Sequence, residues 1–349
     1  MNKRLDTQKL SLHPAEVAAW LENGIIPPLY IEISISDFCN HKCIFCAFDY
    51  YNKPEIISAS AMVRFLSESA DMGIRSCMVA GVGEPFLHRQ LEDILIPTSN
   101  QIDYAISTNV VLCTYQRLEK ILPHIIGLRF SIDAGDPETH KLIHKGKRND
   151  YWQILKNVND ACKIKADLAC DVDLMVQFLA ISENLPSLNS FIETYLNTNV
   201  DAISIKPYSK HPLSINNLSE SYDTEFMHQL NDIVSQYNDK RLLVRSNSFE
   251  RAIDSNVDNL CYALSFWAYI SGDGSVWSCG NYVGDPSFLC GNIYTDSTQE
   301  IWLGNKRRAI VDRARVTPRD CRSNCRMENC NNFLHELVEQ QKDKWYNFI

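Results

Sequence analysis

No stretch of this chain approaches the ~18 consecutive apolar residues that a membrane-spanning helix needs. Its first residues, Met1-Asn2-Lys3-Arg4-Leu5-Asp6-Thr7-Gln8, are polar and contain no secretory apolar segment. A cytoplasmic protein with no membrane partner is expected. Basic charge is also scarce: 34 Lys and Arg stand against 43 Asp and Glu, for a formal net charge of -9. That balance argues against the clustered basic face of a nucleic-acid binder. No internal repeat or low-complexity tract stands out. What the chain does have is 349 residues with 45% hydrophobic and 22% charged content, enough for one large core and a smaller appendage.

Cysteine, by contrast, is abundant. Thirteen cysteines need a reason, because a reducing compartment does not sustain structural disulfides and this is no short secreted scaffold. Metal binding is the natural reading. Cys39, Cys43 and Cys46 cluster early, and Cys261, Cys279, Cys290, Cys321, Cys325 and Cys330 gather in the last quarter. Cys77, Cys113, Cys162 and Cys170, scattered between, read as small buried hydrophobes.

Apolar and β-branched runs at 30–36, 76–80, 104–108, 128–132, 173–178 and 202–206 alternate with helical patterns at 59–70, 115–122, 151–163 and 188–196. Such alternation predicts an α/β fold, a partial (β/α)6 TIM-type barrel or an open α/β sheet, with its catalytic groups at strand C-terminal ends. From about Ser209 the rhythm changes to a Ser- and Asn-rich segment, a helix at 224–237 and a Cys-bearing region. The expected organisation is an N-terminal helical extension (1–29), the barrel (30–210), a connecting helical segment (211–255) and a smaller C-terminal domain ending in a helix (256–349). Within the last, Gly272-Asp273-Gly274 separates two aromatic and β-branched runs and predicts a β-hairpin.

The segment Ser36-Asp37-Phe38-Cys39-Asn40-His41-Lys42-Cys43-Ile44-Phe45-Cys46 directly follows the first predicted strand. Three thiolates on a four-iron cluster leave one iron open to another ligand, although the same spacings also fit one stripe of a helix. This Cys-x3-Cys-x2-Cys run, with Phe45 before its third cysteine, resembles the signature of the radical S-adenosylmethionine (SAM) superfamily. The resemblance implies that SAM chelates the open iron of a 4Fe-4S cluster, and that one electron breaks a C–S bond to give a 5′-deoxyadenosyl radical. It also implies a flavodoxin- or ferredoxin-type electron donor. Gly81-Val82-Gly83-Glu84-Pro85 resembles the family's Gly-Gly-Glu-Pro element, which receives the SAM amino group, with Val82 where Gly is commoner. Ser107 and Asn109 after the third strand, and Ser131 and Asp133 after the fourth, resemble polar positions that face SAM. Gln177 is a weaker match.

From Cys261 through Gly274-x4-Cys279, then Gly291-Asn292-Ile293 and Glu300-Ile301-Trp302, the chain resembles SPASM and twitch extensions, which carry auxiliary iron–sulfur clusters. A full SPASM domain supplies seven cysteines, whereas this tail offers Cys321, Cys325 and Cys330. The resemblance therefore implies one auxiliary 4Fe-4S cluster on Cys261, Cys279, Cys321 and Cys325, with Cys330 as rival ligand and Cys290 as a packing residue. Four thiolates also suit zinc.

The resemblance implies a radical SAM oxidoreductase that dehydrogenates a small polar molecule such as a sugar, nucleotide sugar or aminocyclitol. In having one auxiliary cluster it resembles 2-deoxy-scyllo-inosamine dehydrogenase. Lys206, at the end of the sixth predicted strand, is a candidate proton-transfer group, since burial lowers a lysine's pKa. A peptide-modifying SPASM maturase is the rival, although only 38 residues precede Cys39, which leaves no room there for a fused peptide-recognition domain. A radical epimerase or dehydratase, and a noncatalytic iron–sulfur electron carrier, are the remaining readings.

Overall fold

Between residues 30 and 207 the computed structural model alternates strand and helix as the sequence pattern requires. It describes residues 8–218, 222–253, 260–317, 321–322, 324–342 and 345. β1 (Tyr30–Ile33), β2 (Ser76–Val79), β3 (Asp103–Thr108), β4 (Gly127–Ser131), β5 (Asp173–Ala180) and β6 (Ala202–Pro207) pair in parallel in that order. Helices Ala59–Asp71, Tyr115–Ile121, Asp150–Asp167 and Leu188–Leu196 lie between them. Successive side chains on a strand point to opposite faces. Ile31, Ile33, Ile106, Phe130, Val176 and Ile203 are wholly buried in the main hydrophobic core, and each such side chain contributes roughly 1.5–3 kcal/mol by leaving water. The alternate residues Glu32, Ser107, Arg129, Ser131, Gln177 and Lys206 line a cavity. The barrel interior is thus polar.

Four further strands complete one ten-stranded sheet: β7 (Leu242–Val244), β8 (Trp267–Ile270), β9 (Ser275–Trp277) and β10 (Leu289–Asn292). Its order is β10-β9-β8-β1-β2-β3-β4-β5-β6-β7. β8 and β9 form the expected antiparallel hairpin, closed by Gly274 in a left-handed conformation at φ 80, which glycine adopts without strain. All four residues of β8 are buried, and its free edge pairs in parallel with β1. The hairpin predicted for the C-terminal unit therefore continues the barrel sheet. The expected boundary at 255/256 and the first seven residues of the N-terminal extension lie outside the described residues.

The extension is joined to the C-terminal part by specific polar contacts. Trp20 on helix Pro14–Asn23 donates its indole N–H to Ser265 Oγ at 3.0 Å. The fully buried Arg307 donates to the carbonyls of Ile26, Trp302, Leu264 and Ser265, so one guanidinium satisfies four buried acceptors drawn from both ends of the chain.

Candidate active site and auxiliary metal centre

The cysteine loop leaves the C-terminal end of β1 and opens onto a cavity of about 370 Å³ inside the barrel, lined by Cys39, Cys43, Phe45 and Cys46 among others. Cys39 Sγ accepts the His41 backbone N–H at 3.4 Å, and Asn109 Nδ2 lies 3.9 Å from the same sulfur. Asn109 also donates to Asn40 Oδ1 at 2.8 Å, which ties the loop to the end of β3. Burial, then the neighbouring Cys46 and Cys39, pushes the Cys43 thiol well up. Desolvation pushes Cys39 up to about 11. Thiolates crowded in this way are stabilised by a cationic metal centre.

A histidine cluster behind the loop was not anticipated from sequence. Helix Pro137–His144, N-capped by the Asp136 carboxylate, brings His144 Nδ1 to 3.0 Å from Cys43 Sγ while His144 Nε2 faces the Ile132 carbonyl at 2.7 Å. Nε2 therefore carries the ring proton, and the Cys43 thiol donates to Nδ1. His41 and His140 stack 5.3 and 4.6 Å from His144, and Phe45 meets the same ring edge-on at 5.4 Å. The only signal in the sequence was His140-x3-His144 on a capped helix, a spacing that places both rings on one face.

The Gly81–Pro85 turn is shaped by close contacts on both sides. A Cβ on Gly81, at φ 132, would lie 1.9 Å from the Tyr269 hydroxyl, and one on Gly83 would lie 2.3 Å from the carbonyl oxygens of Ser36 and Phe38. Tyr269 Oη accepts the Val82 N–H at 3.1 Å. Glu84 is only 2% exposed. Its carboxylate accepts from Thr108 Oγ1 at 2.6 Å and from the backbone N–H groups of Phe86 and Asn109, so it pins β3 to the turn. Pro85 is buried and opens a short helical turn, Pro85–Leu87; it is the one predicted cofactor residue that does not line the cavity.

Ser107 and Ser131 face each other at 3.4 Å across β3 and β4, and Arg129 Nε donates to Ser107 Oγ at 3.2 Å. Asp133 holds a left-handed φ of 57 and accepts the Leu179 N–H at 2.7 Å. Desolvation pushes its carboxyl up to about 7. Lys206 lines the same cavity; desolvation, then the charges of Arg129 and Arg326, drives its ammonium well below the usual lysine range.

The second cysteine group gathers beside the same cavity, which Cys325 also lines. The Cys321 thiol is pushed up by its contact with Cys325, by burial, and by the proximity of Cys279 and Cys261, so the four expected ligands share one neighbourhood. The Cys330 thiol is pushed up by burial and by Cys325. Cys290 is buried elsewhere, with its sulfur 3.9 Å from the Phe288 carbonyl. Among the described residues no three cysteine sulfurs lie within 4.8 Å of one another.

Residues 33–170 match the model of the Radical SAM superfamily, and residues 261–331 match that of SPASM, an iron–sulfur cluster-binding domain. The chain is a radical SAM protein with a C-terminal SPASM domain. These two domains imply a SAM-binding 4Fe-4S cluster and auxiliary iron–sulfur clusters, and the two cysteine groups fit them by donor type. Curated relatives include GTP 3',8-cyclase of Desulforamulus reducens, 29% identical over 36% of this chain and 41% of its own length. GTP 3',8-cyclase of Clostridium acetobutylicum is 36% identical over 47% and 55%. The chain thus spans about half the length of these relatives. Among solved structures, Streptococcus suis SuiB bound to precursor peptide SuiA superposes with a TM-score of 0.68 at 16% identity, covering 96% of this chain and 78% of SuiB. Native anSMEcpe with bound AdoMet gives 0.62 at 16% identity, covering 91% and 87%. Both share the radical SAM fold.

Proposed function

We propose that this radical SAM protein oxidises a small polar molecule held in the barrel cavity, with Cys39, Cys43 and Cys46 as ligands of the SAM cluster. Cys261, Cys279, Cys321 and Cys325 are the proposed ligands of one auxiliary cluster, as in the shorter twitch form. The reading rests chiefly on one observation: Lys206, a lysine whose environment favours the neutral amine, lines the same polar cavity as the three thiols. Bound SAM would supply hydrogen-atom abstraction, and the auxiliary cluster an acceptor for the electron that remains.

The protein's own groups account for the rest of the balance. Dehydrogenating a carbinol removes a hydrogen atom, a proton and an electron; the neutral Lys206 amine takes the proton. Asn109, Ser107, Ser131 and Asp133 present amide, hydroxyl and carboxyl groups suited to the SAM ribose and amino acid. A small substrate is supported by curated relatives whose name specifies GTP.

The test is product formed per 5′-deoxyadenosine in anaerobically reconstituted protein, with small polar alcohols and short peptides as alternative substrates. Lys206→Met should lower that ratio at least tenfold while SAM cleavage continues. An unchanged ratio refutes the role of Lys206, and turnover of peptides alone refutes the substrate class.

A further inference from the structure

The cavity that holds the cysteine loop also gathers three guanidinium groups from distant elements: Arg129 on β4, and Arg322 and Arg326 beside Cys321 and Cys325. Like charges collect around an enclosed site only at a cost, unless an anion offsets it. The cavity's own acids do so only in part. Glu32 is engaged by Arg326, the Glu84 carboxylate is occupied by Thr108, Asn109 and Phe86, and Asp133 forms no ion pair with any Lys or Arg among the described residues. Arg129 makes one hydrogen bond, from Nε to Ser107. Its two terminal nitrogens have no hydrogen-bond partner among the described residues, and the side chain lines the cavity wall. That leaves a planar fork facing the cavity, the geometry that engages two oxygens of a carboxylate or phosphoryl group at once.

We propose that Arg129 is the receptor for an oxyanion carried by the substrate, with Arg322 adding to the surrounding positive field. The proposal rests on the cavity being the substrate site and narrows the substrate to a polar molecule bearing a carboxylate or phosphoryl group. The other source of such a group is the carboxylate of SAM itself, which the test separates.

The experiment is equilibrium dialysis of the reconstituted full chain against radiolabelled inorganic phosphate and against malonate, with and without saturating SAM. One anion per chain should bind in the presence of SAM and weaken as salt rises. Arg129→Met should weaken it at least tenfold, about 1.4 kcal/mol, with SAM affinity held within twofold. Arg129→Lys keeps the charge but not the fork and should weaken binding at least threefold; it carries the test if the Met variant does not fold. Equal binding by wild type and variants overturns the assignment, as does saturable binding of neither anion. If SAM excludes the anion and Arg129→Met weakens SAM in parallel, the fork serves SAM and the proposal fails. Wild-type protein that cleaves SAM but binds neither anion refutes the receptor alone, whereas wild-type protein that binds anion but never cleaves SAM refutes the proposed oxidation.

Discussion

Gly83→Ala tests whether the turn after β2 fixes the cysteine loop. An added Cβ would sit 2.3 Å from the carbonyl oxygens of both Ser36 and Phe38, against an ordinary contact of 3.4 Å or more. The obstruction is backbone, so no side chain can swing aside. Relief requires a displacement of about 1 Å in the segment leading into Cys39, and that segment is already tied to the turn by the Glu84 N–H to Phe38 carbonyl bond at 2.8 Å. A misplacement of that size at a reacting centre costs on the order of 10²-fold in rate, and overpacking costs about 1–3 kcal/mol of stability. The expected variant cleaves SAM roughly 100-fold more slowly, measured as 5′-deoxyadenosine per minute and normalised to iron content. Gly127→Ala is the matched control, because its Cβ would meet nothing closer than 3.7 Å. Wild-type cleavage by Gly83→Ala would refute the reasoning.

Three further outcomes are expected. Reconstituted protein should contain about eight irons, and replacing Cys39, Cys43 and Cys46 together by Ala should remove half of them, with all SAM cleavage, by colorimetric iron assay and chromatography. Cys321→Ala or Cys325→Ala should preserve some 5′-deoxyadenosine formation but lose most oxidised product; an unchanged ratio would make the auxiliary centre structural. The Asp133 carboxyl, raised from 3.8 to about 7 by desolvation, ionises at a cost to the fold. Its stabilising contribution is therefore complete below pH ~4 and is lost as pH rises through about 7, so Asp133→Asn should flatten the fall in Tm between pH 5 and 8 seen by calorimetry.

The barrel strands were legible because each is a short run of apolar and β-branched residues bounded by turn chemistry, and the observed limits of β1–β6 fall within three residues of those expected. β7 and β10 were not: three residues carry no period, and Leu289-Cys290-Gly291-Asn292 is weak in strand formers. The cysteine motif and Lys206 were readable because local spacing and strand position place them. Tyr269 and Arg129 were missed. Tyr269 touches Val82 from 187 positions away, and the importance of Arg129 comes from which neighbours fail to neutralise it.

The pairing of β8 with β1 means that the two iron–sulfur units share a chassis. The strand that launches the first cysteine loop is an interior strand only because the SPASM hairpin lies beside it. A chain cut short before residue 260 would expose the unpaired edge of Tyr30-Ile31-Glu32-Ile33, a surface that invites pairing with other chains. It would also lose Tyr269, and with it the prop under the Gly81–Pro85 turn. Dissection into separately expressed halves should therefore yield aggregates rather than two working modules, and the auxiliary half serves as scaffolding for the first centre whatever it contributes to electron transfer.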